Sequence, residues 1–147
     1  MEKSKADFWQ YFFIAVAVMV VVDFTTTFFP DYARWFGYMP AIFVFYLGLP
    51  LVFAIFAIRM KFDDWKLLGV AVASGLVLEL TLFHNMMLIT FPVMVIAIPA
   101  LVAIYSVIAF LPKWIVEEKL KENRGKAAVL IIAWLTVAGI TFMNNTR

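Results

Sequence analysis

The sequence predicts an all-α, polytopic integral membrane protein with five transmembrane helices, its N-terminus cytoplasmic and its C-terminus outside. Three observations predict it. Of 147 residues, 65% are hydrophobic and only 15% charged, with a mean hydropathy of +0.96, whereas soluble chains are roughly half apolar and a quarter charged. The apolar residues come in blocks of about twenty, the length at which a helix crosses roughly 30 Å of hydrocarbon, and not in the alternating ten-residue segments of a barrel. Finally, lysine and arginine segregate by loop, as the positive-inside rule requires of a multi-spanning chain.

The first span is expected over about 8–29, ending at Pro30-Asp31. Lys3 and Lys5 ahead of an apolar stretch resemble a signal peptide, but no small-x-small cleavage site follows, so the segment is expected to remain as a span. The second span is expected over 37–58, with Pro40 in its first turn and a kink at Pro50, where the ring removes a backbone donor. The apolar stretch from Leu67 onward is about twice one membrane thickness. It must therefore turn near His84-Asn85, giving a third span over 67–84 and a fourth over 87–111. The fifth, over 127–143, is near the lower length limit. Between the last two, "PKWIVEEKLKENRGK" is expected to prolong the fourth helix into water, with Glu117 and Lys121 at i,i+4 spacing and Gly125 as its stop. No internal repeat, low-complexity segment or linker interrupts the chain, so residues 1–147 are read as one helical domain.

With five spans, ten of the twelve Lys and Arg fall on one side, and Arg34 and Arg147 alone on the other. An even number of spans destroys this asymmetry, which places the N-terminus in the cytoplasm. Trp9, Trp65 and Trp114 then mark the inner interface, and Tyr32, Trp35 and Tyr38 the outer one. "PDYARWFGY" reads as a short outer connection lying in the headgroups. The absence of cysteine excludes disulfides and thiolate metal sites. The cations form no stripe interleaved with aromatics, so nucleic acid is not an expected partner. The expected surroundings are the lipid bilayer, with other membrane subunits or further copies of the chain, and a prokaryotic plasma membrane is the default location for so compact a chain.

Against this background "VDFTTTFF" stands out, because an aspartate in hydrocarbon is costly and by default marks a functional site. Asp23 lies about six residues, or roughly 9–10 Å, below the outer end of its span. Glu79 comes about five residues before His84 on a span running the same way, so two carboxyls distant in sequence share one level. Thr26 and Thr27 follow Asp23 by three and four residues and are expected on its face. Ala71, Gly75 and Glu79 recur at four-residue intervals, and small residues at that spacing mark a helix-packing surface. No Lys or Arg within the spans can neutralise the acids. They are expected as a proton-sharing pair, or neutralised by a bound cation or by another subunit's base.

Plainer readings remain open beside these. Asp23 could cap a break in the first helix near water, Glu79 could be bonded to Ser74, Thr81, Asn85 or a backbone carbonyl, and His84-Asn85 could be a turn at the interface. Tyr46, Tyr105, Ser106, Trp134 and Thr136 are expected to pack in the core with satisfied hydrogen bonds.

No nucleotide-binding, zinc-protease, nucleophile-elbow or haem signature occurs, and no cofactor is predicted. The first functional expectation is a small non-catalytic subunit or assembly component of a larger membrane complex, its acids sealing an interface. The alternative is an oligomeric proton- or cation-linked carrier or channel using Asp23 and Glu79. A third is a membrane enzyme acting on a lipid or isoprenoid, with a metal held by Glu79, His84 and Asp23 as a further option.

Overall fold

The computed structural model describes residues 2–146. Arg147 and the side chain of Lys3, both counted in the charge asymmetry, lie outside the described residues. All regular structure is helical, with no strand among the described residues. The five α-helices are α1 (Glu2–Asp23), α2 (Tyr32–Ala54), α3 (Asp64–Val77), α4 (Met94–Val116) and α5 (Arg124–Asn145). Four stretches, Lys5–Phe28, Tyr32–Arg59, Met94–Val116 and Arg124–Asn145, are long and apolar enough to cross a membrane. The remaining helical stretch, residues 64–82, has Asp64 and Lys66 at its start and Glu79 inside it.

The first three helices each widen into a five-residue π-helical turn, at Phe24–Phe28, Ile55–Arg59 and Leu78–Leu82. Such turns recur at functional sites because they shift side chains out of α-helical phase. After two of them the chain reverses through a left-handed residue, Lys61 at φ 52° and His84 at φ 51°. The end of α4 uses the same device, with Glu118 at φ 57°. There the amide of Lys119 bonds the carbonyl of Trp114 at 2.9 Å and that of Glu118 bonds Ile115 at 3.2 Å, the paired bonds of a Schellman stop.

This stop corrects the expectation that α4 continues through "EEKLKENRGK". The helix ends at Val116, Lys119 pairs with Glu117 rather than Glu117 with Lys121, and Gly125 lies in the first turn of α5. The fourth helix also starts later than expected. Residues 86–93 form a short 3-10 turn, Met86–Leu88, followed by further turns, and α4 begins at Met94. Conversely, α2 begins five residues early. The Asp31 carboxylate accepts the Arg34 amide at 2.9 Å, capping a helix that absorbs most of "PDYARWFGY".

α4 is the central helix, packed against α1, α3 and α5. From Leu101 to Trp114 most of its side chains are buried, and the fully enclosed Tyr11, Phe53, Leu67 and Val107 join it to α1, α2 and α3. Tyr11 donates to the carbonyl of Ala109 at 2.7 Å, tying α1 to α4. Trp114, expected at the lipid interface, is instead buried and stacked on Phe110. Trp9 and Trp65 are exposed as interfacial anchors would be. At the same end, Asp63 caps α3 by accepting the Lys66 amide at 2.9 Å, which holds its carboxyl below the usual range. Buried Lys113 donates to Asp64 at 2.7 Å and to the carbonyl of Phe62 at 3.1 Å.

α5 is held differently. Ala127 is its one buried residue among those described. Leu130 and Trp134 pack against the core and Phe142 meets the Phe29 ring, and three polar bonds add to this: Trp134 donates to Thr25 at 2.9 Å, Thr141 to the carbonyl of Thr26 at 2.8 Å, and Asn145 to that of Phe29 at 3.0 Å. All three bonds end on or beside the π-helical turn after α1. A widened turn leaves carbonyls without helical donors, and in lipid such groups must be met by a neighbour.

Candidate functional site

Asp23 is the last residue of α1 and the helix does not break there; it runs on into the π-helical turn. One carboxylate oxygen accepts a hydrogen bond from the Tyr46 hydroxyl of α2, and the other accepts from Thr27 at 3.4 Å. The Tyr46 oxygen in turn accepts the Trp35 indole N–H at 3.1 Å, so a chain of three side chains leads from the start of α2 to the acid. Thr26 does not join it. Its hydroxyl, like that of Thr25, bonds carbonyls of the preceding turn, the cheapest acceptor for a threonine on a helix.

Glu79 lies within the π-helical turn that follows α3. Asn85 donates to one of its oxygens at 3.0 Å and Tyr105 of α4 to the other at 3.3 Å. The small residues below it make the Tyr105 contact possible. Ala71 and Gly75 are buried against α4, and a Cβ on Gly75 would lie 2.8 Å from the Tyr105 ring. Only glycine lets the ring pass at that distance.

Both acids are half-buried, and both accept from a tyrosine on another helix. Among the described residues, no ion pair involves either acid. His84 stays apart from this arrangement. It is exposed and serves as the left-handed turn residue. Its neighbour Asn85 does reach Glu79. Among the described residues, no three His, Asp or Glu side chains gather as a metal-ligand set.

No family model, curated protein or solved structure matches the chain.

The site's chemistry therefore rests on its own groups. Two carboxyls without a counter-cation can balance charge only with a proton or a bound cation, since an isolated charge is costly away from water. The tyrosine hydroxyls hold each carboxyl in place and can themselves accept a hydrogen bond, as Tyr46 does from Trp35. Tyr46, Tyr105 and Trp35 are the site members that sequence reasoning missed. Their polar tips were visible, but nothing in the sequence pairs position 46 with 23 or 105 with 79. That pairing depends on how α2 and α4 rotate against their neighbours.

Proposed function

We propose that the chain is a small membrane carrier or channel for protons or a small cation, with Asp23 and Glu79 taking up the ion. The observation that supports this most is that each of the two carboxyls, on different helices, accepts from a tyrosine of another helix and has no ion-pair partner among the described residues. Acids that sealed an interface to another subunit would lack partners in the isolated chain. In this reading residues 64–82 form a fifth span, the lysine-rich connections face the cytoplasm, and the acids sit in the outer leaflet. Exposed Thr27 and half-buried Asn85 lie between the acids and the outer surface, and a plasma membrane of a prokaryote would supply the gradient. Prolines inside α2 and α4 weaken the helical ladder where motion is required.

The test is flux into liposomes carrying a pH-sensitive dye, under imposed proton, sodium or potassium gradients. Wild-type protein should dissipate one of these gradients, and the Asp23→Asn, Glu79→Gln double variant should not. Equal flux through both proteins rejects the proposal.

One observation favours a second reading, a non-catalytic subunit of a larger complex. α5 turns Val129, Ile132, Leu135 and Ile140 outward while burying almost nothing, a face suited to a neighbouring helix as well as to lipid. Gentle extraction followed by native mass spectrometry separates the two. Stoichiometric larger companions would support the subunit reading, and a homo-oligomer or monomer would oppose it.

A further inference from the structure

The side chains that meet the two carboxyls present hydrogens to them, and two of these donors are fixed from behind. Asn85 offers Glu79 its amide nitrogen at 3.0 Å, while its amide oxygen accepts the Met87 backbone N–H at 3.2 Å. A backbone N–H can only donate, so the amide cannot turn its oxygen to Glu79 without losing that bond. The Asn85 backbone is tied to the same place, its N–H donating to the carbonyl of Glu79 at 2.8 Å. On the other acid, the Trp35 indole, also donor only, gives its hydrogen to the Tyr46 oxygen at 3.1 Å. The phenol hydrogen is left for Asp23. Hydroxyls of Thr27 and Tyr105 donate to the remaining oxygens at 3.4 and 3.3 Å.

This arrangement discriminates between cations. A hard metal ion collects about six oxygen ligands, and in membrane helices with irregular turns the backbone carbonyls commonly supply them for sodium. Here those carbonyls already accept. Thr141 meets that of Thr26, Asn145 that of Phe29, Thr81 that of Val77, and the Asn85 amide that of Glu79. A metal approaching Glu79 would face the Asn85 NH2 group, whose hydrogens carry positive partial charge. A proton needs one lone pair. Once it sits on a Glu79 oxygen, the Tyr105 hydroxyl can rotate and accept the new O–H. The titratable groups that meet the acids from α2 and α4 are Tyr46 and Tyr105 alone among the described residues, and α5 brings Trp134, Thr141 and Asn145 to this end. Arg34 lies over the rings of Phe28 and Tyr38, at 5.8 and 5.9 Å.

We infer that the ion taken up by Asp23 and Glu79 is a proton and not a metal cation, each carboxylate being neutralised by a proton bound to its own oxygen. The inference rests on the reading of the chain as an ion carrier or channel and narrows it to one ion.

The test is infrared difference spectroscopy of the full chain reconstituted in lipid, first across steps of pH in choline chloride. At fixed pH and ionic strength, choline is then exchanged for sodium, potassium or calcium. Acidification should raise a carboxylic C=O band in wild type, part of which is lost in the Asp23→Asn, Glu79→Gln double variant. Exchange of cations should leave the bands that distinguish the two proteins unchanged. If the double variant does not fold, the near-isosteric single variants give the same comparison. A cation-induced shift of carboxylate bands in wild type that the variants lack overturns the inference, as does a pH response identical in all of them. Asn85→Asp keeps one oxygen for Met87 and turns another to Glu79, so it should gain a calcium response that wild type lacks; no gain would overturn the inference as well. Liposomes that pass no ion while the acids still titrate would end the transport reading and leave the proton as the ligand of this site.

Discussion

Tyr46 of α2 donates its hydroxyl hydrogen to the carboxylate of Asp23 at the end of α1, joining positions 23 residues apart at the point where the first helix widens. Removing the donor with Tyr46→Phe leaves Asp23 with the long Thr27 bond alone. The loss should cost about 1–3 kcal/mol, as for a hydrogen bond to a charged or partly desolvated group. Thermal unfolding in detergent measures it, with Trp35→Phe expected to cost less. An unchanged midpoint for Tyr46→Phe would mean that the bond contributes no stability.

Gly75 and Gly69 lie on the same helix and should respond oppositely to alanine. At Gly75 the new Cβ meets the Tyr105 ring at 2.8 Å, whereas nothing lies within 4 Å of one at Gly69. Gly75→Ala should therefore destabilise by about 1–3 kcal/mol through overpacking, and the displaced Tyr105 should lose Glu79. Gly69→Ala should be neutral or stabilising by up to about 1 kcal/mol through helix propensity. Equal effects at the two positions would show that α3 is not pressed against α4.

The Lys113–Asp64 pair is asymmetric, since the lysine side chain is 7% exposed and the aspartate 42%. Lys113→Met leaves Asp64 with water and Lys126, whereas Asp64→Ala leaves a buried ammonium with only a backbone carbonyl. An uncompensated buried charge costs several kcal/mol, about 3–5 when fully enclosed. Asp64→Ala should therefore lower the unfolding midpoint more than Lys113→Met does. The reverse order would mean that water reaches Lys113.

His84 and Glu118 adopt positive φ, where a side chain costs about 1–2 kcal/mol relative to glycine. His84→Gly and Glu118→Gly should each be neutral or stabilising in thermal unfolding. For His84 this also tests for any chemical role. Liposome flux that survives His84→Gly would leave it as a turn residue, and lost flux with an intact fold would make it part of the ion path.

The absence of native cysteine makes topology directly measurable. Single cysteines replacing Lys61 or Lys119 should react with an impermeant maleimide only after the cells are opened, and one replacing Arg34 should react on intact cells. Labelling of position 34 from the same side as 61 would remove the five-span arrangement.

What the sequence by itself determined is the helical class and the membrane environment, because blocks of about twenty apolar residues leave a chain few other ways to satisfy its backbone in lipid. The near-level placement of Asp23 and Glu79 stands as an expectation from the constant rise per residue in a helix. The ends of the helices were less legible than the helices themselves. The stop at Val116 carries no glycine signal, as a glutamate takes the left-handed position there, and the Asp31 cap drew α2 outward by one and a half turns or so. Only the tertiary structure decided which groups meet the acids. Depth follows from counting residues, but contact also needs the rotation of each helix about its axis, which is set by close packing such as Gly75 against Tyr105 and by the widening of the π-helical turns. The same packing buried Trp114 with its N–H unpartnered, which composition alone would have placed at the lipid surface.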